Sequence, residues 1–170
     1  MGAEAVGGEE NTAPAAPWLN AVEMRAWRGL LRAQALVLTR LDEELLAAHH
    51  LSMAEYEVLV HLAAAPGGAL RMSELAERAL VSRSGLTRRV DGMAAAGLVE
   101  RRSCPSDRRG TFAVLTEAGR ARLAEAAPTH VAGVRRHFLD HLGAEELVGL
   151  ADALDAVVAG RDRTGDEPAR

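Results

Sequence analysis

Residues 98–102 and 111–115 have the composition of short strands, while apolar positions elsewhere in the 170-residue chain repeat with helical spacing. Between them lies Ser103-Cys104-Pro105-Ser106-Asp107-Arg108-Arg109-Gly110, so the pair is expected to form a β-hairpin with a long, basic, flexible tip. Aromatic residues make up only 3% of the chain, so the core must be built from Leu, Val and Ala, which favour helix packing over a large sheet. The expected fold class is therefore mostly α, with this hairpin as its β element.

Immediately before the hairpin come two helical segments. Ser73 is expected to cap a short helix over residues 74–79 by accepting an orphan backbone N–H, with Glu74 complementing the helix dipole. Leu80-Val81 forms the turn, and Ser82 caps a second helix over residues 83–96 that Gly97 closes in the left-handed conformation. At about 100° per residue, Leu86, Val90 and Met93 share one narrow face of this helix, and Ser84, Thr87, Arg88 and Asp91 share the opposite one. Small hydroxyl side chains beside Arg suit a major-groove reader, which must approach closely and still reach base edges. A solvated polar face fits the same pattern, and the helix alone does not choose between them.

The hairpin does choose. An Arg-bearing tip suits the minor groove, where narrow A·T-rich segments attract Arg electrostatically. Asp107, two residues before Arg109, would shape the loop or orient the guanidinium. The candidate DNA contacts are Ser73, Ser82, Arg83, Ser84, Thr87, Arg88, Arg89, Arg101, Asp107, Arg108 and Arg109.

Charge supports the same region. The formal net charge is -4, but between Arg71 and Arg109 nine Arg face five acids, a surplus of four that leaves the rest of the chain at minus eight. A basic middle between acidic arms is a polarised molecule, compatible with a polyanion partner. All 20 basic residues are Arg, whose planar fork suits phosphate oxygens and guanine edges; a GC-rich genome explains the same bias.

The flanks are expected to be helical as well. Residues 18–48 carry two apolar stripes, Leu19, Val22, Ala26, Leu30, Ala33 and Val37 on one and Trp27, Leu31, Leu38, Leu41 and Leu45 on the other. A helix apolar over most of its girth must be buried on several sides, which in so small a chain points to a second subunit. A helix over residues 53–64 turns Tyr56, Leu59, Val60 and Ala63 inward and ends at Pro66-Gly67-Gly68. Residues 116–142 form a helix kinked at Pro128, and residues 144–159 another with a seam of Leu147, Leu150, Leu154 and Val157. Residues 1–17 and 161–170 lack periodicity and are expected to be disordered tails around one compact unit.

Helix, turn, helix and hairpin in this order make a winged helix-turn-helix, and the chain resembles the MarR family of transcriptional regulators. The resemblance rests on Leu75-Ala76, on Ser84-Gly85-Leu86-Thr87-Arg88-Arg89-Val90-Asp91-Gly92-Met93, on Gly97-Leu98-Val99, on Asp107-Arg108-Arg109-Gly110 and on Leu115-Thr116-Glu117-Ala118-Gly119. It implies a winged helix-turn-helix lobe over residues 53–115 and a helical dimerisation region built from residues 18–48 and 116–160. It further implies a homodimer that binds double-stranded DNA at a pseudo-palindromic operator, acts as a repressor, and answers to a small-molecule effector held between the dimer helices and the DNA-binding lobe. No cofactor is implied.

Positions that could sense a signal are less explicit. Gln34, set in an apolar stripe, can orient an effector's polar group or make a hydrogen bond across a dimer interface; Trp27 can line the same pocket or belong to the core. His137 and His141, four apart, have a metal-ligand spacing, with His49, His50, His61 and His130 as further donors, but no acidic or Cys cluster completes a set. Cys104 beside two Arg can act as a redox switch, which would make the regulator metal- or redox-responsive. A winged-helix protein-interaction module without DNA binding is the rival of another class, opposed by Arg108, Arg109, Thr87 and Arg88. No nucleophile-base pair, phosphate-cradling Gly loop or paired-carboxylate motif stands where an enzyme would need it. The single cysteine fits the cytoplasm, and no apolar run is long enough to span a membrane.

Overall fold

In a computed structural model the chain is described over residues 18–79, 82–104 and 107–164, with the backbone alone described at residues 83, 104, 107–109 and 161–164. Among the described residues, six α-helices and three strands follow one another as α1 (Ala21–His49), α2 (Met53–Ala64), β1 (Ala69–Arg71), α3 (Met72–Arg78), α4 (Arg83–Ala95), β2 (Val99–Cys104), β3 (Asp107–Leu115), α5 (Glu117–His137) and α6 (Ala144–Thr164). The expected turn at Leu80-Val81 lies outside the described residues. The chain divides into two units, with the boundary after Gln34.

The first unit contains the start of α1. Asn20 Oδ1 accepts the N–H groups of Val22 and Glu23 at 2.9 and 3.0 Å, and the Glu23 carboxylate accepts the Asn20 N–H at 2.8 Å. This reciprocal box satisfies orphan donors and starts the helix at Ala21, three residues after the expected boundary. Val22, Trp27, Leu30 and Leu31 are all exposed.

The second unit holds the core. A residue with positive φ, His50, ends α1, and Ser52 with Glu55 forms a capping box that starts α2. Val58, Leu59 and Leu62 of α2 are fully buried against Leu45 of α1, Leu75 of α3 and Leu86, Val90 and Met93 of α4. Complete burial of each such side chain contributes roughly 1.5–3 kcal/mol. On α2 the expected phase is corrected: Val60 and Ala63 are exposed, and Val58 and Leu62 take the inward positions beside Tyr56 and Leu59. The helix is apolar nearly all round, so its pattern alone could not select the face.

The sheet has the order β1-β3-β2, antiparallel throughout. Strand β1, absent from the sequence reading, pairs Ala69, Leu70 and Arg71 with Val114, Ala113 and Phe112. The hairpin is also tighter than expected: β2 runs to Cys104 and β3 starts at Asp107, with a register irregularity at Ser103/Cys104. Strand residues therefore extend into what was expected to be a long loop, with residues 108–110 bulged out of the pairing.

Thr116 locks the hairpin to α5. Its hydroxyl accepts the Gly119 N–H at 3.0 Å as N-cap, and lies 2.7 Å from Gly97 O and 2.9 Å from Leu98 O, to either of which it can donate its proton. Gly119 is buried against Leu98 O so closely that a methyl group there would overlap it. The Leu-Thr-Glu-Ala-Gly motif is thus a junction: Leu115 fills the core, Thr116 caps and ties, and Gly119 permits contact. α5 runs uninterrupted through Pro128 and ends at His137, with a short helical turn at Leu139–His141 replacing the expected continuation. α6 extends to Thr164, so residues 161–164, expected in the tail, are helical.

Candidate nucleic-acid interface

Helix α4 is oriented as the sequence requires. Ser82 caps it, its hydroxyl accepting the Gly85 N–H at 3.2 Å, and Gly97 takes φ 74° just past its end. With Leu86, Val90 and Met93 completely buried, the opposite face carrying Ser84, Thr87, Arg88 and Asp91 must be exposed, and it is. Arg89 lies off that face, half-buried on the flank of the helix. For Arg83 the backbone alone is described; it occupies the first helical position.

The hairpin approaches α4 at Arg101, which forms an ion pair with Asp91. On the next residue, Arg102 donates to Glu100 at 2.8 Å, and that hydrogen bond holds the Glu100 carboxyl below its usual pKa. Each described Arg of β2 is thereby matched to a carboxylate. Asp107, Arg108 and Arg109 all belong to β3, but the proposed orientation of Arg109 by Asp107 concerns side chains outside the described residues.

Ser73 does not cap α3. The helix begins directly from β1, so the extended Arg71 is the N-cap, and its N–H donates to the Glu74 carboxylate at 3.3 Å. Ser73 is the second helical residue and exposed. Together with Arg71, Thr87, Arg101, Gly110 and Thr111 it lines a cleft of about 240 Å³ where α3, α4 and the hairpin meet. Arg71 was missed by sequence reasoning: its neighbour across the sheet, Phe112, lies 41 positions away in the chain, and the Arg71 guanidinium sits 5.4 Å from the centre of that ring.

The overall scaffold has relatives of known structure. A sequence model of the MarR family matches residues 49–110. AbsC, a MarR family transcriptional regulator from Streptomyces coelicolor, is 41% identical and superposes with a TM-score of 0.78 over 86% of this chain and 99% of its own. The chain belongs to the MarR family. Another MarR family regulator, Sco3205 from Streptomyces coelicolor, solved in complex with DNA, is 37% identical with a TM-score of 0.79, covering 87% of this chain and 92% of that one. The HTH-type transcriptional repressor YetL of Bacillus subtilis (strain 168) is 34% identical over 101 residues, a match spanning 58% of this chain and 60% of YetL. MarR family members are DNA-binding transcription regulators, not enzymes, and the exposed face of α4 is the surface such a protein needs.

Positions suspected of sensing a signal are placed as follows. Trp27 and Gln34 are exposed in the first unit. His137 Nε2 lies 2.8 Å from Glu44 Oε1, which also accepts from Arg136 at 2.6 Å; chiefly through the His137 hydrogen bond, the Glu44 pKa is lowered. His49 Nε2 lies 2.8 Å from the Thr129 hydroxyl, and His130 stacks on Tyr56 with ring centres 4.5 Å apart. These histidines join α5 to α1 and α2, and among the described residues no group of three potential metal ligands converges. Cys104 ends β2, its side chain outside the described residues. No described helix is long and apolar enough to cross a membrane.

Proposed function

We propose that this regulator is a cytoplasmic homodimeric repressor that recognises a pseudo-palindromic operator, placing α4 of each subunit in successive major grooves and the Arg-bearing hairpin in the flanking minor grooves. One observation carries the reading: α4 is anchored by three wholly buried side chains while Ser84, Thr87 and Arg88 stand exposed along its first half. Ser73, Ser82, Arg83, Arg89 and Arg101 flank that surface, and Asp107, Arg108 and Arg109 supply the minor-groove contact. Repression is supported by the likeness to YetL, itself a repressor.

Dimerisation is supported by apolar side chains that the single chain leaves exposed, notably Trp27, Leu30 and Leu31 on α1 and Val148, Leu154 and Val157 on α6. A small-molecule effector would be read by Trp27 and Gln34. The test is selection of duplexes from a random-sequence pool by the purified protein, followed by anisotropy titration and light scattering. The expected result is an inverted repeat with half-sites about 10 base pairs apart, bound by a dimer. A monomer, or a protein without salt-sensitive affinity for duplexes, would overturn the assignment.

A further inference from the structure

Dimerisation through exposed apolar side chains of α1 and α6 allows three helix pairings: α1 with the partner's α1, α6 with the partner's α6, and α1 with the partner's α6. The charges on the two helices decide among them. At about 100° per residue, Arg25, Arg28 and Arg32 fall in one stripe about 60° wide along the first half of α1. On α6, residues 144–160 carry four carboxylates, Glu145, Glu146, Asp152 and Asp155, and no Arg. Asp152 and Asp155 lie on either side of Val148 in helical projection, and Val148 is 61% exposed. The three Arg and the two Asp are themselves exposed, and none has an ion-pair partner among the described residues.

Across a two-fold axis, α1 against α1 would set the Arg stripes together, and α6 against α6 would do the same with the carboxylates. Like charges so placed repel. Only α1 against α6 opposes unlike charges, and the spacing fits. Arg25 and Arg28 are three positions apart, as are Asp152 and Asp155, a rise of about 4.5 Å in each helix. Charges that border an apolar seam choose a helix's partner, while the seam itself supplies the association. We infer that the first half of α1 is a docking surface for α6 of a second copy, with Arg25, Arg28 and Arg32 facing the partner's Asp152 and Asp155. This rests on the homodimer reading above and deepens it by naming the helix that each helix meets. The two-fold axis makes the contact twice in every dimer.

In the full-length protein, Arg25→Glu, Arg28→Glu and Arg32→Glu would be introduced together as one variant, Asp152→Arg and Asp155→Arg as a second, and all five in one chain as a third. Dimer dissociation would be measured by fluorescence-detected sedimentation at several NaCl concentrations. Each of the first two variants sets like charges in contact and should raise the dissociation constant at least about tenfold, with a smaller effect at high salt. The third variant exchanges the signs on both helices and should dimerise like wild type. The first two, mixed with different labels, should form heterodimers in preference to either homodimer.

A dissociation constant unchanged in either of the first two variants would overturn the pairing and leave the homodimer standing. So would a loss in both without recovery in the third. A wild type that does not dimerise would remove the homodimer reading, and this inference with it. Circular dichroism separates a lost contact from a lost fold. If a charge-reversed variant does not fold, the neutral set Arg25→Gln, Arg28→Gln and Arg32→Gln decides: its dissociation should depend less on salt than that of wild type, and an equal dependence would overturn the pairing.

Discussion

Replacing Gly119 by Ala should destabilise the protein, against the usual sign of that substitution in a helix. In a helix interior Ala is ordinarily favoured over Gly by about 0.8–1 kcal/mol. At Gly119, however, the added methyl would overlap Leu98 O and lie 2.7 Å from Leu115 Cδ1, where ordinary contact begins near 3.4 Å. Leu98 O is main chain and cannot rotate away, so the start of α5 must lift. Lifting strains the Thr116 hydroxyl contacts with Gly97 and Leu98, worth about 1 kcal/mol. Overpacking adds roughly 1–3 kcal/mol. After subtracting the helix gain, the net loss is about 1–3 kcal/mol, or a fall in Tm of roughly 2–12 °C for a chain of this size.

The control is Gly92→Ala in α4, where nothing lies within 4 Å of the added carbon; it should raise Tm by about 1–4 °C. Both variants would be melted by circular dichroism at one protein concentration, because association makes Tm concentration-dependent. If Gly119→Ala is as stable as wild type while Gly92→Ala gains, the close contact relaxes at no cost and the junction argument fails.

Arg88→Ala should cost roughly 1–3 kcal/mol in affinity for the selected duplex, checked by gel-shift titration; an unchanged affinity would remove Arg88 from the base contacts. Asp91→Asn removes a carboxylate from the presented face and releases Arg101, so affinity for mixed-sequence DNA should rise and its salt slope should steepen by about 0.9. A flatter slope would contradict that role. His130, stacked on Tyr56, has its pKa lowered chiefly by burial, with Glu57 partly offsetting this. The folded state therefore resists a proton that the unfolded chain accepts, so stability is lost as pH falls below about 6.5. Urea unfolding at pH 7 and pH 5.5 should show a smaller difference for His130→Phe than for wild type, and an equal difference would remove His130 from the cause.

The parts legible in the sequence are those governed by local chemistry. Ser82 and Gly97 bracket α4 because a cap and a left-handed glycine act within a turn of the helix they bound, and Leu86, Val90 and Met93 fix its rotation because no competing apolar stripe exists. On α2 two apolar stripes compete, so the choice of Val58 and Leu62 over Val60 and Ala63 is made by the neighbours. Strand β1 is three residues long and owes its existence to pairing with β3, which local pattern does not reveal. Without β1, Ser73 is the nearest residue with a capping side chain; with it, the strand feeds straight into α3 and Arg71 becomes the cap. The Arg71 cleft is hidden for the same reason, being assembled by sheet register across distant parts of the chain.

The Thr116 hydroxyl has a mechanical consequence. It caps the first turn of α5, yet it is fastened to Gly97 and Leu98, just past the C-cap of α4. A displacement of the start of α5 thus bears directly on the turn at residues 96–98 that closes α4. A rearrangement that tilts α5 is therefore expected to shift α4, and with it the surface proposed to read bases, without touching the residues of that surface.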